Sequence, residues 1–315
     1  MLKQDRKLFP SRSSSTLSGS AKKVSRRLLT AAAVPDTNKT ILKDGDDELD
    51  RLVSQHYILR TAFGSDFSAP IELDNRIVLD VGCGPATWTM EMANAYPDCT
   101  FIGIDKNPVF PRDIKPKNCH FQLVDVVNAV FLPFPDNSID YIFQRDMNWS
   151  LHKDDWVHLM NEYFRILKPG GWIELMESDL ETQGNQNYQQ FLNNKLTNAF
   201  TLCGHDPYAS RRLSSYLAST NFRRIQSQFQ SIPLGWSSLK RKENIYYSEY
   251  SRAAASQQLY LWQSLQPWLC RASHMSKEKY NFFINQLPKE WKDTRTYINW
   301  YRATAQKPIH SKCLH

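Results

Sequence analysis

From residue 46 to about 180, short apolar runs alternate with segments whose apolar residues recur every three or four positions, the marks of strands and helices. DDELDRLVSQHYILRTAF places Leu49, Leu52, Val53, His56, Ile58 and Leu59 near helical spacing. With Asp46 as N-cap and acids in the first turn, it predicts a helix over 47–62. RIVLDV (76–81) is apolar and rich in Ile and Val, as a strand buried on both faces should be. A helix near 87–95 follows, then strands CTFIGID (99–105), NCHFQLVDV (118–126) and IDYIFQR (139–145). DDWVHLMNEYFRILKPGG puts Trp156, Val157, Met160, Tyr163, Phe164 and Leu167 on one helical face. Pro169-Gly170-Gly171 stops that helix before the strand WIELMES (172–178). Such alternation implies a mostly parallel sheet with right-handed crossovers and helices on both faces. Beyond 180 the pattern turns helical and aromatic. FRRIQSQFQSIPL (222–234) reads as a strand, 238–292 as several helices and TRTYINWYRATAQK (294–307) as a last strand. A helical cap is therefore inserted before the final strand.

Composition refines this picture. The 315 residues are 41% apolar and include 16 Phe, 14 Tyr and 9 Trp, enough for a substantial core. No run approaches the 18 apolar residues of a membrane span. The six cysteines are scattered with no C-x-x-C pair, which points to neither a metal site nor a disulfide framework and fits a reducing, cytoplasmic setting. The net charge of +7 hints at nucleic acid until its distribution is read. Residues 1–43 hold ten Lys/Arg and two Asp, a balance of +8, so the remaining residues sum to −1. No basic stripe interleaved with aromatics marks a nucleic-acid footprint. The chain thus divides into a basic, Ser-rich tail (1–45) that cannot bury enough surface to order itself, and a domain (46–315). Within the domain, 46–180 form a ligand-binding core, 181–293 the substrate-side and cap segments, and 294–307 the last strand. The tail leaves open a mitochondrial or nuclear address, or a contact with a protein partner.

The chemistry concentrates in RIVLDVGCGPATW, a glycine turn at the carboxyl end of the first strand, where open α/β sheets bind ligands. A dinucleotide fingerprint needs a third glycine where Thr87 stands, and Asp80 would repel a pyrophosphate. This disfavours a nicotinamide oxidoreductase. A zwitterion suits the loop better. S-adenosylmethionine offers an ammonium to Asp80 and a carboxylate to the helix N-terminus near Thr87, while Gly82 and Gly84 permit close backbone approach.

VLDVGCGPATW, FIGIDKNP, FQLVDVVNAVFLPFPDNSIDYIFQR and LKPGGWIELME, in that order, resemble the seven-strand, Rossmann-like class I S-adenosylmethionine-dependent methyltransferases. QHYILRTAFGSDFSAPI and GHDPYASRRLSSYLASTNF resemble the fungal small-molecule and regulator-type branch. The resemblance implies that Asp80, Gly82 and Gly84 belong to the cofactor loop and that Asp105 takes the ribose hydroxyls. It implies that Asp125 and Val126 read the adenine, and that Gln144 and Arg145 lie by the methionine part and the substrate mouth. Where the family often has a third glycine this chain has Ala86, whose methyl is expected to narrow the loop. By position alone, His56, Tyr57, His152 and Glu177 are candidates for a general base. Trp236, Tyr246, Tyr250, Trp262 and Trp268 either close a dry pocket or only pack the helices. No NPPY-type and no paired-glutamate motif is present, which lowers nucleic-acid and arginine acceptors. Two readings stand: methyl transfer to an O, N or C nucleophile of a small molecule, or a methyltransferase-fold regulator acting through protein partners.

Overall fold

The computed structural model describes residues 41–42, 45–184, 187–237 and 245–309, with side chains of 245–248 excepted. The tail read over 1–45 lies outside it, save for 41, 42 and 45; Ile41 is buried against the core that the later helices build. Among the described residues, no helix is long and apolar enough to cross a membrane.

One seven-stranded sheet carries the domain. Helix α1 (Asp46–Phe63) precedes β1 (Ile77–Val81), α2 (Thr87–Ala95), β2 (Thr100–Asp105), β3 (Cys119–Leu123) and β4 (Ile139–Arg145). Then come α3 (Asp155–Ile166), β5 (Leu167–Ser178), α4 (Asn187–Leu202), α5 (Leu213–Ser219) and β6 (Arg223–Pro233). The long helices α6 (Ile245–Ser273) and α7 (Lys277–Asp293) separate β6 from β7 (Tyr297–Gln306), as the sequence predicts. The strand order is β3-β2-β1-β4-β5-β7-β6, with β1 to β5 parallel and β7 antiparallel to both its neighbours. Strand order reverses between β1 and β4, so the crevice at their carboxyl ends is where this architecture places a ligand.

Both faces of the central strands are buried, which explains their unbroken apolar runs. Val78, Phe101, Tyr141, Phe143 and Trp172 pack with Trp88 and Met92 of α2. The alternate residues Leu79, Val81, Ile104, Ile142, Ile173 and Leu175 pack with Trp156, Leu159, Met160 and Tyr163 of α3 and Leu217 of α5. A third cluster joins α4, α6 and α7 through Trp262, Trp268 and Trp291 to Met176, Ile232 and Trp300 of the sheet. Each such aliphatic side chain contributes about 1.5–3 kcal/mol by leaving water. A buried ion pair fastens the segment after α1 to the sheet. Glu174 accepts from the Ser68 and Ala69 amides and the Tyr141 hydroxyl, and Arg302 Nε lies 3.1 Å from its other oxygen.

Some boundaries depart from the sequence reading. Gly45, not Asp46, precedes the first helical residue, and no side chain caps α1. The buried face of α3 is rotated to Trp156, Leu159, Met160, Tyr163 and Ile166, leaving Val157 exposed. β3 stops at Leu123; the Val124 amide still donates to the Asp105 carbonyl, and the chain then turns under the hydrogen bonds that Asp125 accepts from the Val127 and Asn128 amides. β5 begins at Leu167 rather than 172. Leu167 already pairs with Ile139; the Pro-Gly-Gly then bulges, with Gly170 at φ 82°, before pairing resumes at Trp172, and Gly170 and Gly171 exchange hydrogen bonds with Lys307. Gly171 is needed there, because a Cβ would meet two backbone oxygens at 2.9 Å.

Candidate functional site

β1 delivers Asp80 to the crevice and the chain turns at once into α2. Asp80 is buried, accepts a short hydrogen bond from the Thr89 hydroxyl of α2, and faces Arg145. Burial raises its carboxyl to about 6, against the lowering by Thr89 and Arg145. Gly82 has φ 68°, a left-handed conformation that favours glycine, and the Met147 thioether packs where a Cβ would stand. Asp105, at the end of β2, clamps the loop: one carboxylate oxygen accepts from the Gly84 amide at 3.0 Å, the other from the Asn107 amide at 2.9 Å. Ala86 is left-handed at φ 62° and fully buried, with its methyl in a small cluster with Cys83 and Phe110. It lines neither cavity of the crevice.

α1 lies across this loop. Leu52 comes within 3.6 Å of where a Gly84 Cβ would stand. On the same buried stripe, Arg51 donates to Gln55 at 2.6 Å and Gln55 to Asp146 at 2.9 Å. Gln257 of α6 donates to Gln55 at 3.0 Å, and Trp149 to Asp146 at 3.2 Å. His56, also on α1, sits between Glu91 (3.0 Å) and Arg145 (3.3 Å). Burial depresses its pKa, and Arg145 adds to that effect. Nearby, His56, Asp66 and Glu91 converge as a metal site would, but Arg60 lies 2.7 Å from Glu91 and 3.4 Å from Asp66 and already supplies the cation.

Two small cavities of about 40 Å³ meet at Gly82. One is lined by Asp105, Asp125, Val126 and Met147, the other by Gln55, Asp80, Gly84 and Arg145. Carboxylates suited to hydroxyl and amino donors thus line one side, and an acid with a base lines the other. Met147 rests on Gly82 between them.

The structure brings Asp80, Gly82, Gly84, Asp105, Val126 and Arg145 together at this crevice and sets the others apart. Asp125 borders it, but its carboxylate is folded back onto the Val127 and Asn128 amides and the Asn128 side chain. Burial pushes that carboxyl up, yet the Asn128 and Val127 hydrogen bonds outweigh it and hold it low. Gln144 does not reach the mouth: fully buried, it accepts from Tyr163 at 2.6 Å and donates to Glu177 at 3.3 Å. Glu177 in turn is a buried anchor for the Met147 and Asn148 amides, at 3.0 and 3.1 Å. Burial lifts its carboxyl to about 8, with Asp146 adding to the rise against those hydrogen bonds. Tyr57 is exposed and donates to Glu91, while His152 pairs with Asp155 and stacks on His205, 4.5 Å between rings. None of Tyr57, His152 and Glu177 lines either cavity. Trp262 and Trp268 are core, and Trp236 donates to the Thr296 carbonyl; the Tyr246 side chain lies outside the described residues.

Sequence reasoning missed Met147, Thr89, Arg51, Gln55 and Glu91. For Arg51 and Gln55 a signal existed: polar residues four apart on the stripe that carries Leu52, Ile58 and Leu59.

Comparison with known proteins adds family evidence. Residues 78–171 match a family model described as a methyltransferase domain. Over 215 residues the chain is 29% identical to the secondary metabolism regulator laeA of Aspergillus flavus, covering 60% of this chain and 52% of that protein. It is 33% identical over 153 residues to the protein-methionine methyltransferase laeA of Emericella nidulans, covering 43% and 36%. It is likewise 33% identical over 133 residues to the methyltransferase pytC of Aspergillus terreus, covering 42% and 39%. The chain spans about half the length, or less, of these curated relatives.

Proposed function

We propose that the chain, whose residues 78–171 match a methyltransferase domain and whose strand order places a ligand crevice at the glycine loop, is a class I S-adenosylmethionine-dependent methyltransferase of the fungal regulator type and uses that cofactor to methylate a small-molecule nucleophile. The observation that carries this is the partition of charge around Gly82: Asp80 and Arg145 on one side, Asp105 on the other. An ammonium and a carboxylate match the first pair; a ribose diol, with two O–H donors to offer, matches the Asp105 carboxylate. The glycine loop suits the group as well, because a backbone without side chains at Gly82 and Gly84 allows close approach. Bound, the cofactor supplies an activated methyl on a sulfonium. The chain's task is to orient: Asp105 fixes the loop through Gly84, Glu177 fixes the turn bearing Met147, and α1 covers both. A ligand spanning both cavities takes the space of Met147, so binding moves that side chain.

Calorimetry with S-adenosylmethionine tests this. The wild type is expected to bind in the micromolar range, about −8 kcal/mol, and Asp105→Ala to lose binding by at least tenfold. Equal affinities would count against the proposal. Mass spectrometry of methyl transfer in cell extract would then find the acceptor.

A second reading is favoured by relatives named as regulators: the domain keeps the fold and acts through a protein partner engaged by the basic tail. Removing residues 1–45 separates the two, since an enzyme keeps its turnover and a tail-dependent regulator loses its partner. On either reading we place the protein in the cytoplasm, with the tail as the candidate nuclear or mitochondrial address.

A further inference from the structure

Arg145 is a half-buried guanidinium lining the cavity of Asp80 and Gly84. Among the described residues it makes no ion pair within 4.0 Å, and its one hydrogen bond is to a ring nitrogen, His56 Nδ1, at 3.3 Å. A guanidinium cannot accept, so Nδ1 must, and the ring proton is therefore on Nε2. Nε2 then donates to Glu91, whose carboxylate is also held by the Tyr57 hydroxyl at 2.9 Å and by Arg60 at 2.7 Å. The result is a chain from α2 through α1 to the end of β4: carboxylate, neutral imidazole, guanidinium. Its outer end is fixed by three donors, and its inner end presents the remaining guanidinium N–H groups to the cavity. The Phe143 ring, 5.7 Å from the guanidinium carbon, lies against it.

We infer that His56 is a positioning residue: by accepting from Arg145 it aims a guanidinium with no carboxylate in direct contact, among the described residues, at the carboxylate of the ligand's amino-acid end. The inference rests on the cofactor reading above and deepens it. It also removes His56 from the general-base candidates, since both ring nitrogens are engaged away from an acceptor. The alternative partner for the guanidinium, Asp80, is buried and accepts from Thr89 through one oxygen, which leaves its other oxygen for the ammonium. A neutral acceptor holds the guanidinium in place without cancelling its charge, as a carboxylate would.

The test is calorimetry of the full chain with two nucleosides, S-adenosylhomocysteine and 5′-methylthioadenosine, which lacks the amino-acid end. Arg145→Gln should weaken S-adenosylhomocysteine about a hundredfold, the range of a charge-assisted hydrogen bond, and leave 5′-methylthioadenosine unchanged. His56→Leu should weaken the first about tenfold and spare the second. His56→Asn, whose side-chain oxygen stands near the Nδ1 position, should restore the first to within about twofold. Unchanged S-adenosylhomocysteine binding in His56→Leu, or equal loss of both nucleosides in His56→Leu and His56→Asn, overturns the inference. A wild type that binds neither nucleoside overturns the cofactor reading itself.

Discussion

At Asp80 burial and hydrogen bonding act on one carboxyl in opposite senses, and burial prevails. Its folded pKa, about 6, lies above the unfolded value near 3.9, so folding takes up a proton there. The stability it contributes is fully present below about 3.9 and is lost as pH rises through about 6. In the ligand-free protein, the melting-temperature difference between wild type and Asp80→Asn should therefore move against the wild type from pH 4.5 to 7 (about those limits). A difference independent of pH would refute the assignment. Affinity for S-adenosylmethionine should run the other way, rising through pH 6 in the wild type and staying level in Asp80→Asn, because only the ionised carboxyl attracts an ammonium. Ala86 poses a smaller contest. Glycine would relieve about 1 kcal/mol of left-handed strain but forfeit about 0.8 kcal/mol of methyl burial against Cys83 and Phe110. Ala86→Gly should leave both the denaturant midpoint and cofactor affinity nearly where they are; a large gain in affinity would mean that the methyl does obstruct the loop.

α1 is joined to the rest by packing and by a small polar junction, in which the Gln55 carbonyl accepts from Arg51 and from Gln257 of α6. Gln257→Ala removes one donor and leaves the other, so the loss should be about 1 kcal/mol in urea unfolding. Amide exchange should quicken in 46–63 while the sheet is unaffected; unchanged exchange there would show that packing alone holds the helix down. The junction also marks the limit of what could be read from sequence. The glycine loop, the strands around it and the inserted helices were legible, because strands buried on both faces leave unbroken apolar runs and the turn between β1 and α2 demands glycine. The roles of Gln144 and Arg145 were not. Neighbours on a strand point to opposite faces, so only one of the two can enter the crevice, and nothing in IDYIFQR says which. Glu177 was misread for a related reason: a carboxylate at a strand's end looks alike whether it serves a ligand or the amides of the next turn.

The sheet as a unit depends on charges far from the crevice. Arg302 of β7 and Glu174 of β5 are both buried, and the Glu174 carboxylate holds the Ser68–Ala69 segment. Arg302→Leu leaves that carboxylate buried without its cation and should cost about 3–5 kcal/mol in urea unfolding, with Glu174→Gln/Arg302→Leu recovering part of it. If the single variant were as stable as the wild type, the pair would be incidental. A different consequence follows from the antiparallel placement of β7. Every strand from β3 to β5 finds a parallel neighbour made before residue 179, but β6 pairs with β7 alone. A nascent chain must therefore carry the eleven residues of β6 through the synthesis of both long helices with both edges unmatched. The sheet is sealed from the middle outward only when the final strand slips between β5 and β6, so the interval before that insertion is when this protein is most exposed to pairing with the wrong chain.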